Sequence, residues 1–351
     1  MSTGEQSGNQ RDLSYYCQRF RELNVNRTER GEALYQPILL LSVIDLIAQG
    51  LIKDQNIFIT EGLRNTFNNY RDILITKPNI IDNKKAKNRS SLSLPFFHLQ
   101  NEEHRFWYLD YKPEYHDSIQ IDKKATNDKI RKSITQLEKY VNYAFIDKYL
   151  FYLIQDEDSR RELVDALVIR WFSASENSLE NLLKANQSFQ VSIQKEIKKL
   201  SQGERSGKGQ KFYFRKAAAR DSVFGKAVVG LYDYKCAFCG LKVNNSLSQN
   251  IVDGAHIGPF AISFNNEITN GVSLCKNHHW AFDKGWFSIS DDYKIIVSND
   301  LQEEAPNAKR KMQDFNGETI PLPDAKKYAP DKYYPSHESL QWHRKKWRFH
   351  P

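Results

Sequence analysis

The sequence predicts an α+β protein: a mostly helical N-terminal module with a small β element, then a helical bridge, then a C-terminal module of strands and a helix. Apolar residues are spaced as in helices over residues 37–47 and from residue 127 to about 200. Residues 251–257 form a short apolar run typical of a strand, and residues 201–210 are rich in Gly, Ser and charge, as linkers are. These observations predict three parts, at residues 1–125, 126–202 and 203–351.

The elements of the N-terminal module follow from local patterns. Pro37 suits the first turn of a buried helix, and Gly50 suits the end of the same helix. The elements predicted there are, in chain order, a buried helix over 37–47, an amphipathic helix over 63–70, an extended segment over 92–99 and a strand over 106–109.

The bridge and the C-terminal module follow from the same kinds of pattern. In the bridge, Leu137, Tyr140, Val141, Ala144 and Phe145 recur at helical spacing, which predicts a helix that contains them. The elements predicted in the C-terminal module are a helix over 212–234, strands at 251–257, 287–289 and 294–297, a helix that starts near residue 279, and a final basic helix or coil around 337–347.

Four residues of the C-terminal module have the spacing of zinc ligands. Cys236 and Cys239 form one pair, and Cys275 with His278 supplies a second pair. Zinc sites use such pairs because both side chains of a tight turn can reach one ion. A set of three cysteines and one histidine leaves no open coordination position, so we predict a structural Zn²⁺ that stabilises the fold.

Two further histidines and one asparagine are candidates for chemistry. His256 ends the predicted strand at 251–257, where an imidazole can take a proton from a water molecule. His279 directly follows a predicted zinc ligand, so the zinc site would fix its position. Asn270 lies in a predicted turn between them, from which its amide can bond to backbone near His256.

The order His256, Asn270, His279 through a zinc-stapled strand and helix resembles the HNH endonucleases, a ββα-metal family. The resemblance implies a metal-dependent HNH site in which His256 is the general base for the attacking water and Asn270 orients it. It also implies that His279 binds a catalytic divalent cation, Mg²⁺ or Mn²⁺, at the scissile phosphate.

The second protein ligand of that cation has two candidates. Many members of the family carry an acidic or histidine ligand directly before the base, where this chain has Ala255. Asp253 and Asp283 are the nearby carboxylates. Strand alternation predicts that Asp253 lies on the opposite face from His256, and Asp283, one helical turn beyond His279, can instead act as an outer carboxylate.

Composition excludes several classes of protein. No apolar run reaches the ~18 to 20 residues that a membrane span needs. The polar start of the chain lacks the apolar core of a signal peptide, so a cytoplasmic protein is expected. With three of the four cysteines assigned to zinc, only Cys17 remains, which excludes a disulfide framework.

Basic residues are concentrated just before the zinc ligands. The chain has a net charge of +8, and its basic and aromatic residues are interleaved between 203 and 220. We predict that this segment contacts the phosphates of double-stranded DNA, and a solvated basic face is the alternative. The predicted contact residues are Lys211, Arg215, Lys216 and Arg220.

Three motifs of the N-terminal module carry a second resemblance: Q-P-I-L-L-L at 36–41, S-L-P-F-F-H-L at 93–99 and F-W-Y-L at 106–109. They resemble the sulfur-binding domains joined to HNH modules in McrA-like, type IV modification-dependent restriction endonucleases. The resemblance implies that Pro95, Phe96 and His98 line a recess for phosphorothioate sulfur, which tolerates an apolar site better than a phosphate oxygen does.

The same resemblance places Tyr35 and Gln36 against the DNA backbone. Gln36 and Leu94 differ from the family's pattern, which has a basic and an aromatic residue there, so methylated or hydroxymethylated cytosine in a flipped-base pocket stays open as the mark. A purely structural role in a packed core is the alternative for each of these residues.

Together the two resemblances imply a modification-dependent DNA endonuclease of bacterial antiviral defence, a restriction enzyme that senses a mark and cuts nearby. Because one HNH site cuts one strand, a double-strand break implies a homodimer or two binding events. Two alternatives stay open: an HNH defence effector whose N-terminal domain senses a protein or small molecule, and a DNA-binding protein without catalysis.

Overall fold

The computed structural model describes residues 11–28, 31–75, 92–116, 120, 122–172, 178–202, 217–243, 250–304, 309–324 and 331–349. The chain divides into two compact units. The N-terminal unit consists of Met1–Ser178 with Gly207–Ser222, and the C-terminal unit of Leu179–Ser206 with Val223–Pro351. Residues 126–178 of the segment predicted as a bridge therefore belong to the N-terminal unit, and residues 179–202 belong to the C-terminal unit.

The N-terminal unit is mostly helical, as predicted. Almost every side chain of α2 is buried, and the helix stops before Gly50, whose φ of +72° favours glycine. Thr60 caps α3 by accepting a hydrogen bond from the Leu63 amide. The helices are α1 (Leu13–Arg21), α2 (Tyr35–Ala48), α3 (Glu61–Leu74), α4 (Ser93–His98), α5 (Lys123–Ile130), α6 (Ile134–Tyr140), α7 (Lys148–Gln155) and α8 (Glu157–Phe172).

The small β element of this unit is a three-stranded antiparallel sheet with the order β3-β5-β4. The strand predicted at 106–109 is confirmed as β4. A separate pair of two-residue strands lies nearer the N-terminus. The strands are β1 (Arg27–Thr28), β2 (Gly31–Glu32), β3 (Asn56–Ile57), β4 (Trp107–Tyr111) and β5 (Val141–Ile146).

Two sequence predictions for this unit are wrong. The helix predicted through Val141, Ala144 and Phe145 is instead strand β5, because these residues pair with strands on both sides and tertiary pairing overrides a short helical pattern. The segment predicted as extended at 92–99 is helix α4. Pro95 lies in its first turn, where a missing N–H costs no helical hydrogen bond, and the Trp107 indole N–H donates to the Phe96 carbonyl at 3.0 Å.

The C-terminal unit contains the predicted strand, strand and helix. Strands β6 and β7 pair antiparallel from Val252 opposite Cys275 to His256 opposite Gly271, and α12 follows β7 directly. The predicted strands at 287–289 and 294–297 and the final basic helix are also confirmed. The elements are α9 (Ser178–Ser201), α10 (Ala218–Leu231), β6 (Val252–His256), α11 (Phe260–Ser263), β7 (Gly271–Cys275), α12 (Lys276–Asp283), β8 (Phe287–Ile289), β9 (Ile295–Val297) and α13 (His337–Lys346). Ser178 of α9 and residues 218–222 of α10 belong to the N-terminal unit.

The β6–β7 hairpin packs closely on α10 because two glycines face that helix. A Cβ atom at Gly254 would lie 2.7 Å from the backbone of Gly225, and one at Gly271 would lie 2.6 Å from the Val228 side chain. Both glycines therefore permit a close approach of strand and helix rather than a special backbone angle.

None of the helices in the described part of the chain combines the length with the apolar character that crossing a bilayer requires.

A buried carboxyl group predicts how the stability of the N-terminal unit depends on pH. Asp45 is fully buried in α2, where it accepts hydrogen bonds from the Tyr70 hydroxyl and from the Ala218 amide. Burial raises the pKa of Asp45 from 3.8 to about 8. Between these values the unfolded chain has released this proton and the folded chain keeps it, so the free energy of unfolding falls as pH rises through that window.

We expect Asp45→Asn to remove most of this pH dependence, which urea denaturation at about pH 5 and about pH 8 measures. Asp72→Asn, at an exposed carboxylate of the same unit, is the control and should leave the dependence unchanged. Equal pH dependence in the wild type and Asp45→Asn would contradict the prediction.

Candidate active site and metal centre

Three cysteines and one histidine form a compact cluster in the C-terminal unit. The ligand atoms of Cys236, Cys239, Cys275 and His278 all lie within 4.8 Å of one another. His278 Nδ1 lies 3.0 Å from Cys275 Sγ and 3.8 Å from Cys236 Sγ. Ligand atoms of a tetrahedral zinc site are separated by roughly 3.5 to 3.8 Å, given ordinary Zn–S and Zn–N bond lengths. The cluster therefore fits a structural Zn²⁺.

Local structure brings the two ligand pairs together. Cys236 and Cys239 lie in a tight turn in which the Gly240 amide donates to the Cys236 carbonyl at 2.9 Å, and Gly240 has a φ of +72°. The Ala237 amide donates to the Ser273 carbonyl of β7 at 2.7 Å, which holds the turn beside the hairpin. Cys275 is the last residue of β7 and His278 lies in the first turn of α12, so the cluster joins turn, strand and helix.

His256, the predicted general base, is the last residue of β6. Its ring stacks on the Phe224 ring of α10 with centroids 3.8 Å apart and an angle of 2° between the planes. Its Nε2 atom lies 3.1 Å from Asn266 Oδ1. Sequence reasoning missed Asn266, which is fully buried, because its partners in α9 are about 80 residues away in the chain.

Asn270 ends a short 3-10 turn, Ile268–Asn270, and is buried. Its Oδ1 accepts from the Gly258 amide at 2.8 Å, and its Nδ2 donates to the Gly258 carbonyl at 2.8 Å and to the Asn265 carbonyl at 3.0 Å. Three hydrogen bonds from one side chain thus close the loop between β6 and β7. Gly258 follows His256 by two residues, so the side-chain amide of Asn270 fixes the backbone beside the imidazole of His256.

His279 lies between two carboxylates. Its Nδ1 lies 3.3 Å from Asp253 Oδ2, and its Nε2 lies 3.7 Å from Asp283 Oδ2. Burial raises the pKa of Asp253, but hydrogen bonds from His279 and Lys276 outweigh burial and bring it to about 2. The two carboxylates contact opposite nitrogens of one ring, so a single ion bound to one nitrogen of His279 meets only one of them in this arrangement.

The predicted site residues of the C-terminal unit fall into two groups on β6. Asp253, His279, Lys276 and Asp283 form a charged cluster at α12. His256 instead makes its ring contact on the side of β6 that faces α10, as strand alternation predicts. Asp253 and His256 are three residue steps apart on β6, which is roughly 10 Å along the strand.

The structure changes one of the four predicted DNA contacts, Arg220. Arg220 is 1% exposed in α10 and pairs with Asp221 at 2.5 Å, so its guanidinium is not available to a phosphate, and its prediction as a contact is wrong. The other predicted contacts, Lys211, Arg215 and Lys216, lie outside the described residues.

Three of the predicted mark-binding residues are buried in the N-terminal unit, which corrects their assignment. Pro95 is buried and Phe96 is 0% exposed, packed edge-on against Trp107 with centroids 5.2 Å apart. Gln36 is buried and donates to Glu102 Oε1 at 3.2 Å. Pro95 and Phe96 belong to the core because the aromatic motif folds as helix α4 rather than as an extended segment, and Gln36 belongs to it as part of the buried helix α2. Tyr35 is partly exposed.

His98 is the predicted mark-binding residue that lies at a cleft. The cleft has a volume of about 440 Å³ and carries three basic side chains. Burial and the nearby Arg131 lower the pKa of His98. The lining residues are Phe97, His98, Asn101, Lys123, Lys124, Asn127, Asp128 and Arg131.

The zinc assignment predicts a measurable dependence on metal. Cys236→Ser removes one of four ligands, so the purified protein should lose its zinc, and its melting temperature should fall by roughly 10 °C or more because the cluster joins three elements. Metal analysis and thermal unfolding measure both. Cys17→Ser, at a cysteine outside the cluster, is the control and should retain zinc. A wild-type protein that contains no zinc and is insensitive to chelators would contradict the assignment.

Comparison with known proteins supports a nuclease domain in the C-terminal unit. Residues 236–290 match a family model described as HNH endonuclease. A solved structure titled "Modification dependent TagI restriction endonuclease" is similar over 35% of this chain and 36% of that chain, with 21% identity and a TM-score of 0.25. No curated protein matches the chain significantly. The matched stretch holds His256, Asn270 and His279 together with all four residues of the Cys3His cluster, so this part of the chain is similar to an HNH endonuclease domain.

Proposed function

We propose that the protein is a metal-dependent endonuclease that hydrolyses phosphodiester bonds of double-stranded DNA at its HNH site. The observation that carries the proposal is the placement of His256, Asn270 and His279 on one hairpin and helix within the segment that matches the HNH endonuclease family. The Cys3His cluster at the end of the same hairpin supports the proposal, because a structural zinc there would fix α12 and its His279.

His256 acts as the general base. Its imidazole takes a proton from a water molecule, and the resulting hydroxide attacks phosphorus. The P–O3′ bond breaks to leave a 5′ phosphate and a 3′ oxyanion, which takes a proton from solvent water to become the 3′ hydroxyl. Asn270 keeps the loop after His256 in place through its bonds to Gly258. The stacked Phe224 ring limits rotation of the imidazole, so the base is held in place before DNA binds.

His279 would hold the divalent cation through Nε2. Asp253 Oδ2 accepts a hydrogen bond from the Nδ1–H group, an arrangement that leaves Nε2 with the lone pair for a metal. Asp283, 59% exposed at its side chain and one turn along α12, lies beside Nε2 and would supply the second ligand. When bound, the cation stabilises the negative charge that develops on the leaving 3′ oxygen.

In this proposal the DNA backbone runs along β6, from the charged cluster near its N-terminal end to His256 at its C-terminal end. The cluster at Asp253 and the base at His256 are roughly 10 Å apart along the strand, which is close enough for one strand of DNA to reach both. Lys276, 55% exposed at its side chain and paired with Asp253, is a candidate phosphate contact there. The basic segment with Lys211, Arg215 and Lys216 remains a proposed contact of the same backbone.

The N-terminal unit senses a chemical mark on the DNA, and phosphorothioate is the first candidate. Support comes from the resemblance of its motifs to sulfur-binding domains and from His98, which lies in an open basic cleft with Phe97. Methylated or hydroxymethylated cytosine is the alternative mark. The burial of Pro95, Phe96 and Gln36 removes three of the contacts on which the sulfur hypothesis depended, so the cleft at His98 now carries the sensing proposal.

The proposed setting is bacterial antiviral defence, where a cytoplasmic restriction enzyme cuts DNA that carries the mark. A homodimer would allow two HNH sites to break both strands. The competing functions are an HNH effector triggered by a protein or small molecule, and a DNA-binding protein that does not cut. Cleavage of a duplex distinguishes the endonuclease from a DNA-binding protein that does not cut. Binding of the marked duplex distinguishes it from an effector that is triggered by a protein or small molecule.

Cleavage of matched duplexes tests the nuclease proposal. With Mg²⁺ or Mn²⁺, the wild type should cut a duplex that carries phosphorothioate or modified cytosine in preference to the unmodified duplex. His256→Ala should lower kcat by roughly 100-fold or more, because a general base contributes about that much. His337→Ala, at an exposed histidine of the same unit, is the control and should cut like the wild type. Equal rates for His256→Ala and wild type would contradict the assigned base.

DNA binding tests the proposed cleft. Lys123→Ala combined with Lys124→Ala should weaken binding of the marked duplex about tenfold and lower its salt dependence, because two phosphate contacts are lost. Lys129→Ala is the matched control, since Lys129 is exposed on the same helix but does not line the cleft. Fluorescence anisotropy at two salt concentrations measures both effects. Equal affinities for the double variant and Lys129→Ala would contradict a DNA-binding cleft.

A further inference from the structure

A chain of buried amides connects helix α9 to His256. The Asn186 side chain donates from Nδ2 to the Asn266 carbonyl at 2.7 Å and accepts at Oδ1 from Asn266 Nδ2 at 2.7 Å. The Asn266 amide donates to Gln190 Oε1 at 2.8 Å. Asn266 Oδ1 lies 3.1 Å from His256 Nε2. Asn266, in the loop before Asn270, therefore bonds to α9 through three of its polar groups. Its fourth polar group, Oδ1, faces the imidazole of His256.

These amides are excluded from water. Asn266 is 0% exposed, Asn186 is 2% exposed and Gln190 is 5% exposed. Buried amides cost free energy unless their hydrogen bonds are made, so the network holds one arrangement strongly. Asn186 and Gln190 are four residues apart on α9, which places both side chains on one face of the helix.

The backbone carbonyl of Asn266 determines the orientation of the side-chain amides in this hydrogen-bond network. The Asn266 carbonyl can only accept, so the atom of Asn186 that faces it is Nδ2, and Oδ1 of Asn186 then faces Asn266. The group of Asn266 that meets this oxygen must donate and is therefore Nδ2. Asn266 Oδ1 is left facing His256, and an amide oxygen can only accept.

The tautomer of the neutral imidazole follows from this orientation. Because Asn266 Oδ1 must accept, His256 Nε2 carries the hydrogen, and Nδ1 is the unprotonated, basic nitrogen. The other neutral tautomer, with the hydrogen on Nδ1, would set two acceptors, His256 Nε2 and Asn266 Oδ1, against each other at 3.1 Å in a partly buried site. The Phe224 ring, stacked at 3.8 Å, opposes the ring rotation that would relieve this.

We propose that Asn266, held by Asn186 and Gln190 of α9, is a positioning residue that fixes His256 as the Nε2–H tautomer and so makes Nδ1 the atom that takes the proton from water. This inference rests on the proposed role of His256 as general base. The proton from water forms the Nδ1–H bond, and the imidazolium keeps its Nε2–H hydrogen bond to Asn266, whose oxygen stabilises the new positive charge.

The inference extends the active site beyond the HNH segment. Asn186 and Gln190 lie outside residues 236–290, in a helix that precedes the zinc ligands by more than 30 residues. Helix α9 therefore does more than pack on the nuclease domain: it sets the protonation pattern of the base. Positioning groups of this kind typically contribute 10- to 100-fold in activity, roughly.

NMR of the full-length protein with ¹⁵N-labelled histidine tests the tautomer without any DNA. His256→Ala identifies the signals of His256. In the wild type at a pH where the ring is neutral, Nε2 should be the protonated nitrogen. Asn266→Ala and Asn186→Ala should give a mixture of tautomers, whereas Asn266→Asp, which keeps an acceptor oxygen towards His256, should retain the Nε2–H form. A wild-type ring protonated at Nδ1, or an Asn266→Ala ring unchanged from wild type, would overturn the inference.

Kinetics with the duplex that the wild type cuts separate this inference from the proposed function. Asn266→Ala should lower kcat roughly 10- to 100-fold with KM nearly unchanged, and Asn186→Ala should lower it less. Gln187→Ala, at the exposed neighbour on α9, is the matched control and should match the wild type. If His256→Ala is inactive but Asn266→Ala cuts like the control, the inference fails and the function stands. If His256→Ala cuts like the wild type, the assignment of His256 as the base and the present inference both fail.

Discussion

The closure of the β6–β7 hairpin is the constraint on which the rest of the nuclease domain depends. At its loop end, Asn270 makes three hydrogen bonds to backbone. At its other end, Cys275 leads into α12 and joins the Cys3His cluster. Between them, Gly254 and Gly271 allow α10 to approach so closely that a methyl group at either position would clash. A hairpin fixed at both ends and along one face can hold a histidine base in one position.

Each proposed chemical role depends on a different neighbour of that hairpin. The charged group around His279 is held by α12, which the zinc cluster would fix. The base is held by α10 through the Phe224 ring and by α9 through buried amides. The two groups lie on opposite faces of β6, so their separation is set by the strand itself. Because the two faces of β6 have different neighbours, one short strand can carry the proposed base, His256, and also lie beside the proposed metal ligand, His279.

The sequence predicted the parts of this site that depend on local spacing and missed those that depend on distant residues. Cys236 with Cys239 and Cys275 with His278 are pairs within one turn each, so their spacing indicated the cluster. Asn266 gave no such signal, because its partners Asn186 and Gln190 come from a helix about 80 residues earlier. The same limit applies to Phe96 and Gln36: a motif shows their order in the chain, but tertiary packing decides that both are buried.

The central claim is that one hairpin positions two distinct metal sites of different chemistry beside a single base. Anomalous diffraction from crystals of the full-length protein grown with Mn²⁺ and a short duplex tests this claim most directly. The account predicts a zinc peak within the Cys3His cluster and a separate manganese peak at His279 Nε2. A manganese peak elsewhere in the domain, with His279 Nε2 bonded only to protein, would contradict it.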